Sequence, residues 1–110
     1  MLKDKIALIT GSTSGIGLAV ADGLARAGCT IMLNGLGSPE QIEAARAQIA
    51  AHGGEVDYNG ADLSRTDQVE AMIAATEARF GQIDILVNNA GIQHVARVED
   101  FPVAKWDAII

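Results

Sequence analysis

What this 110-residue sequence holds little of narrows its chemistry before any motif is read. It has one cysteine, Cys29, and two histidines, His52 and His94. One thiol cannot close an internal disulfide, and one Cys with two distant His offers no metal-ligand spacing. The chain therefore suits a reducing cytoplasmic location and needs no metal. Bases are scarce, eight Lys and Arg against fourteen Asp and Glu, for a formal charge of −6. A phosphate-backbone partner requires a basic face, so no nucleic acid is expected as a partner. No run approaches the ~18 consecutive apolar residues of a membrane span. Met1 is followed almost at once by Lys3, Asp4 and Lys5, which is not the opening of a secretory signal. Neither membrane insertion nor export is expected. Aromatics make up only 4%, yet apolar residues total 49%, enough for one globular core in a chain of this length.

What is present alternates. Lys5 to Thr10 (KIALIT) is a short apolar, β-branched run that stops at Gly11, the pattern of a buried parallel strand. From Ile16 the period becomes helical, with Ile16, Ala19, Val20 and Leu24 on one face and Gly28 placed as a left-handed residue after the helix. Thr30 to Asn34 is a second strand. Ser38-Pro39-Glu40-Gln41 then supplies an N-cap, a proline at the first helical position and a Gln to complete a capping box. The helix it starts carries Ile42, Ala45 and Ile49 inward and ends at Gly53-Gly54. A third strand is expected over Glu55 to Gly60, and Ser64 is expected to cap a third helix with Val69, Met72, Ile73, Thr76 and Phe80 inward, closed by Gly81. Ile83 to Asn88 is a fourth strand. Phe101 to Ile110 reads as the opening of another helix, with Val103, Trp106 and Ile110 on one side and no cap at its end.

Strands alternating with helices over short links argue for βαβ units and a parallel sheet. Right-handed crossovers put the first two helices on one face and the third on the other, giving strand order 3-2-1-4. That is the opening of an α/β, doubly wound, Rossmann-type sheet. No repeat or linker divides residues 1–110, which read as part of a single domain.

The chemistry concentrates in Thr10-Gly11-Ser12-Thr13-Ser14-Gly15-Ile16-Gly17, between the first strand and the first helix. A turn in that setting presents bare backbone N–H groups and a helix N-terminus to the pyrophosphate of a dinucleotide. Gly11 would permit the tight turn, Gly15 a close approach by the cofactor, and Gly17 close packing of helix on sheet; Ser12, Thr13 and Ser14 offer hydroxyls. An ordinary βα turn is the plain alternative, and the GxxxxGK[ST] phosphate loop is excluded for want of its Lys.

The spacing TGxxxGxG resembles that of the short-chain dehydrogenases/reductases, and the likeness runs from the first strand to the last residue. Asn88-Asn89-Ala90-Gly91 is similar to the family's NNAG segment, and Asp62-Leu63 to its acidic-aliphatic pair, where the carboxylate accepts from the adenine amino group. The resemblance implies that Gly11, Thr13, Ser14, Gly15, Ile16, Gly17, Leu36, Asp62, Leu63, Asn89, Ala90 and Gly91 bind the cofactor. Taken singly, Asp62 could equally be a turn or capping carboxylate. At the end of the second strand an acid would pair the ribose and an Arg would accept a 2′-phosphate. The sequence reads Asn34-Gly35-Leu36-Gly37, with neither, and no base stands at Ser14 or Leu36. NAD is expected because a 2′-phosphate finds no countercharge, with Leu36 covering the adenosine.

The stretch Asn88 to Trp106 is most similar to the family's branch acting on a small 3-hydroxy acid, which implies that Gln93 holds the substrate carboxylate; a solvent-facing loop Gln is its plain alternative. His94 is read as a loop residue beside the substrate, His52 as a dipole contact at a helix end, Cys29 as packing and Trp106 as a helix anchor. No catalytic residue can be named. The family's acid is the Tyr of a Tyr-x-x-x-Lys motif, and Tyr58, the single tyrosine, is followed by Asn59, Gly60, Ala61 and Asp62. The expectation is therefore the amino-terminal, cofactor-binding part of a longer NAD-dependent oxidoreductase, inactive by itself and a homotetramer at full length. A non-catalytic dinucleotide-binding or assembly fragment and an NADP-linked 3-oxoacyl reductase are the alternatives.

Overall fold

The computed structural model describes residues 2–89 and the backbone of a two-residue strand, Val95–Ala96. Five strands and three helices follow in the order β1 (Ile6–Ile9), α1 (Gly15–Arg26), β2 (Thr30–Asn34), α2 (Pro39–Ala50), β3 (Val56–Asn59), α3 (Thr66–Phe80), β4 (Ile85–Val87) and β5 (Val95–Ala96). They form one sheet ordered β3-β2-β1-β4-β5. The first four strands are parallel, in the expected 3-2-1-4 arrangement. β5 pairs antiparallel with β4; two residues are too few for a period-2 pattern, and the sequence did not announce it.

Central β1 is buried on both faces, which is why it reads as an unbroken apolar run. Ala7 and Ile9 point with Ile31, Leu33 and Val87 into a core covered by α1 and α2. Leu8 points the other way, with Met32 and Leu86, into a core closed by Val69 and Met72 of α3. The register sets Ala7 beside Ile31 and Ile85, and Ile9 beside Leu33 and Val87, so the pleat sorts these side chains into the two layers. Thr76 and Val69 of α3 are fully buried, and Ala45 and Ile49 of α2 likewise.

The boundary chemistry holds in detail at α2. The Ser38 hydroxyl accepts from the Gln41 N–H at 3.2 Å and Gln41 Oε1 accepts from the Ser38 N–H at 3.0 Å, the reciprocal capping box. Two expectations need correction elsewhere. The fully buried stripe of α1 is Gly17, Ala21 and Ala25; of the expected face Val20 and Leu24 pack partly buried against the same core, while Ile16 and Ala19 are exposed. Small residues let the helix lie close on the sheet, so the larger Leu18, Val20 and Leu24 are pushed to the flanks, and Ile16 is 63% exposed. Ser64 does not cap α3. Its N–H and hydroxyl both donate to the Asp62 carboxylate, at 2.9 and 2.7 Å, which ties Ser64 into a turn ahead of the helix, and the helix starts after Arg65 without a side-chain cap.

Cys29 is buried in the α1/α2 core, and that burial pushes its thiol pKa up, which leaves it inert packing. His52 does more than face the end of α2. Its Nε2 lies 2.7 Å from Asp22 Oδ1 on α1, with Gln48 donating to the same oxygen at 3.3 Å. This braces α1 against α2, and the His52 hydrogen bond, then that of Gln48, holds the Asp22 carboxyl below its ordinary pKa. The helix expected at 101–110 lies outside the described residues.

Candidate functional site

Parallel strands end together, and the loops leaving β1, β2 and β3 meet at that end. They enclose a cleft of about 390 Å³, within the usual size range of small-molecule sites. The β1–α1 loop contributes Gly11, Thr13 and Ser14, the β2–α2 loop Asn34, Gly35 and Leu36, and the β3–α3 loop Ala61 to Ser64. The N-terminus of the 12-residue α1 opens at the same place, with no acidic side chain in its first turn to quench its partial positive charge.

The glycines of the first loop divide their work as their positions suggest. Gly11 has φ +59°, where a side chain would strain the turn. At Gly15 a Cβ would meet nothing within 4 Å, so that side is open. Gly17 is the packing glycine: a Cβ there would overlap the Gly11 carbonyl oxygen and lie 2.8 Å from Asn89 Nδ2. The three hydroxyls are not equivalent. Ser12 donates to the Ile9 carbonyl at 2.7 Å and accepts from the Asn34 N–H at 3.0 Å, deep inside the protein. Thr13 donates its hydrogen to the Leu36 carbonyl at 2.7 Å. Of the three, the exposed hydroxyl of Ser14 is left to donate to a ligand; Thr13 shapes the wall instead.

Two buried polar residues to which the motifs assign no role, Thr10 and Asn34, tie the loops together. Thr10 Oγ1 donates to Asn88 Oδ1 at 3.1 Å and accepts from the Asn89 N–H at 2.9 Å, joining the ends of β1 and β4. Asn89 Nδ2 in turn reaches the Gly11 carbonyl at 3.3 Å. Asn34 Nδ2 donates to the carbonyls of Asn59 and Ala61 at 3.0 and 3.1 Å, and its Oδ1 faces the Gly11 N–H at 3.4 Å. Asn34 is thus a three-loop bracket, which explains why an uncharged amide closes the apolar run of β2. The available signal was a polar residue at the end of a strand that is otherwise buried.

Asp62 stands in the cleft wall and is also a turn residue. Its Oδ1 accepts from the Ser64 hydroxyl and, at 2.9 Å, from the Ser64 N–H. These bonds, the hydroxyl first, hold its carboxyl below the ordinary Asp pKa, with a smaller pull from Arg65. The carboxylate stays ionised at neutral pH with Oδ2 able to accept from a ligand N–H. Leu63 packs partly into the α3 core beneath it, while Leu36, 89% exposed, also lines the cleft. Of the expected cofactor residues, Gly11, Thr13, Ser14, Leu36, Asp62 and Leu63 line the cleft, whereas Gly15, Ile16, Gly17 and Asn89 are not among its lining residues. Ala90, Gly91, Gln93 and His94 lie outside the described residues. Among the described residues no group of three His, Cys, Asp or Glu is placed to hold a metal, and no helix is long and apolar enough to cross a membrane.

The family model described as short chain dehydrogenase matches residues 5–110. The chain belongs to the short-chain dehydrogenases. A D-beta-hydroxybutyrate dehydrogenase of Cupriavidus necator is 54% identical over 110 residues, all of this chain and 42% of the relative. One from Rhizobium meliloti is 50% identical over 107 residues, again 42% of its length. The chain thus spans less than half of these short-chain dehydrogenases. Among solved members, a short-chain dehydrogenase/reductase from Serratia marcescens superposes with a TM-score of 0.78 at 29% identity, over 98% of this chain and 44% of that one. An actinorhodin polyketide ketoreductase solved with NADPH gives 0.74 at 36% identity, over 81% of this chain and 34% of that one. The doubly wound sheet is therefore the short-chain dehydrogenase fold, here its amino-terminal part.

Proposed function

We propose that this chain is the dinucleotide-binding part of an NAD-dependent oxidoreductase that interconverts D-3-hydroxybutyrate and acetoacetate. The observation that carries the reading is the 54% and 50% identity to two D-beta-hydroxybutyrate dehydrogenases across essentially the whole chain. The cleft fits the cofactor on its own terms: Asp62 brings a carboxylate to its lining, a helix N-terminus free of acids follows the Ser14 that lines it, and a Cβ at Gly15, the first residue of that helix, would meet nothing within 4 Å. Bound NAD would supply the hydride acceptor.

The chain's own residues do the holding. The α1 N-terminus and the Ser14 hydroxyl meet the pyrophosphate, Asp62 accepts from the adenine amino group, and Leu36 covers the adenosine. Asn89, with Ala90 and Gly91, closes the β4 side, and Gln93 receives the substrate carboxylate. No side chain here is assigned the proton transfer, since these residues contain no Tyr-x-x-x-Lys. By themselves the 110 residues should bind without turning over. The same reading carries a cytoplasmic homotetramer for the whole protein.

Titration calorimetry with NAD and NADP tests this together with NADH formation from D-3-hydroxybutyrate. The expected result is NAD binding tighter than NADP, no turnover by the 110 residues, and turnover by a longer chain that carries the Tyr-x-x-x-Lys motif. Tighter NADP binding would favour an NADP-linked 3-oxoacyl reductase, of which a Synechocystis example is 37% identical over 109 residues. Binding of neither dinucleotide would refute the reading.

A further inference from the structure

Tyr58 is the single tyrosine, it belongs to no catalytic motif, and yet its hydroxyl is committed to a specific task. From β3, where it lies in register with Leu33 of β2, its ring packs on the α1/α2 core. The hydroxyl reaches past the end of β2 to donate to the Gly35 carbonyl at 2.5 Å. Thr13 donates to the very next carbonyl, that of Leu36, from the opposite side at 2.7 Å. Two residues on, the Ser38 N–H is held by Gln41. The turn over residues 35–38 is therefore fixed by side chains from β3, from the glycine-rich loop and from α2. At Gly35 a Cβ would stand 2.6 Å from Thr13 Oγ1, so the clamp leaves no room for a side chain on the residue after β2.

The clamp holds an 89% exposed leucine at the mouth of the cleft. Exposing a large apolar side chain is unfavourable unless something covers it, and a backbone held on both sides prevents Leu36 from folding away. Among the described residues that line the cleft there is no Lys or Arg, and their one charge is the Asp62 carboxylate. A sugar bearing hydroxyls can lie against such a wall; one bearing a phosphate dianion meets an apolar side chain and a negative charge.

We propose that Tyr58 is a positioning residue for cofactor discrimination, its hydroxyl acting with that of Thr13 to hold Leu36 where a ribose fits and a 2′-phosphate does not. The inference rests on the dinucleotide reading above. Loosening the turn should cost NAD affinity and admit NADP, because mobility lets Leu36 retreat and water reach the phosphate. A tyrosine that served only the core would weaken both dinucleotides by one common factor.

The experiment is titration of the parent and Tyr58→Phe with NAD and with NADP. Loss of one hydrogen bond of ordinary worth predicts NAD binding weakened about 3- to 10-fold, with NADP changed less, so the preference for NAD narrows. Thr13→Val should narrow it similarly, and Thr13→Ser, which keeps the donor, should restore it. This pair carries the test if Tyr58→Phe does not fold. An unchanged ratio of the two affinities in both Tyr58→Phe and Thr13→Val, or in Thr13→Val alone where Tyr58→Phe does not fold, overturns the proposal. A parent chain that binds NAD with unchanged ratios in the variants sinks the clamp alone; one that binds neither dinucleotide sinks the oxidoreductase reading and the clamp's purpose with it.

Discussion

Gly17→Ala adds a single methyl group, and the structure says where it must go. The new Cβ would overlap the Gly11 carbonyl oxygen, lie 2.7 Å from the Gly11 carbonyl carbon and 2.8 Å from Asn89 Nδ2. Neither neighbour can retreat freely. The Gly11 carbonyl precedes the Ser12 N–H, which is bonded to the Asn34 carbonyl at 2.6 Å, and Asn89 is held through its own N–H by Thr10. Relief requires lifting the start of α1 from the sheet or turning the Gly11–Ser12 peptide. Either breaks the Asn89 to Gly11 bond. Overpacking costs about 1–3 kcal/mol and the lost bond about 1 kcal/mol, against a gain of at most about 1 kcal/mol in helix propensity. A net loss of about 1–4 kcal/mol lowers a urea midpoint by roughly 0.5–2 M at a slope of about 2 kcal/mol per molar urea, typical of small domains. Gly23→Ala is the internal control, since it sits in the same helix with nothing within 4 Å of its Cβ and should gain about 0.5–1 kcal/mol. Urea unfolding followed by circular dichroism measures both. The reasoning fails if Gly17→Ala unfolds at or above the parent midpoint while Gly23→Ala rises as expected.

Asn34→Leu keeps the volume but strips the bracket, leaving the carbonyls of Asn59 and Ala61 and the Gly11 N–H without their side-chain partner. A loss of about 2–4 kcal/mol is expected, read as a lower Tm, and an unchanged Tm would show that water replaces the amide at no cost. Asp62 gives a pH signature. Its folded-state pKa is depressed, chiefly by the Ser64 hydroxyl, so its contribution is complete above the ordinary Asp value of about 3.9 and is lost as pH falls through the lower folded value. The difference in urea midpoint between the parent and Asp62→Ala should hold constant from neutral pH down to that ordinary value and vanish only below it. A difference that disappears at pH 5 would contradict the hydrogen-bond geometry.

The fold was legible because its signals are local and agree with one another. KIALIT, the Ser38 to Gln41 box and the glycines at 28 and 81 each mark a boundary by backbone chemistry that a neighbour several strands away does not alter. Strand order followed from handedness rather than from any residue. What failed were inferences from size. Ile16 is large and apolar, and hydrophobic pattern set it on the apolar face of α1, yet it is exposed, and Leu24 packs only partly buried at the edge of the core; the fully buried positions are Gly17, Ala21 and Ala25 because closeness, not bulk, lets α1 cover β1. The Ser64 cap failed because Asp62, two residues earlier, draws the Ser64 N–H and hydroxyl into its own turn, and the helix starts one residue later, after Arg65.

The site divides along the same line. Glycine positions are legible because a Cβ excludes itself by geometry alone, and Gly11 and Gly17 behave as that argument requires. Hydroxyl roles are not, because a hydroxyl has one hydrogen and sequence cannot say which acceptor takes it. Ser12, Thr13 and Ser14 are near-equivalent in the chain, yet one is consumed by the core, one by the neighbouring turn, and one is left for a ligand. The acceptor that consumes Thr13 is a carbonyl 23 residues away, brought there by β2, and the tyrosine that holds the adjoining carbonyl comes from β3. The discrimination proposed above thus depends on the two hydroxyls that fix the Leu36 backbone as well as on Leu36 itself, and replacing Leu36 alone should change affinity without freeing the turn.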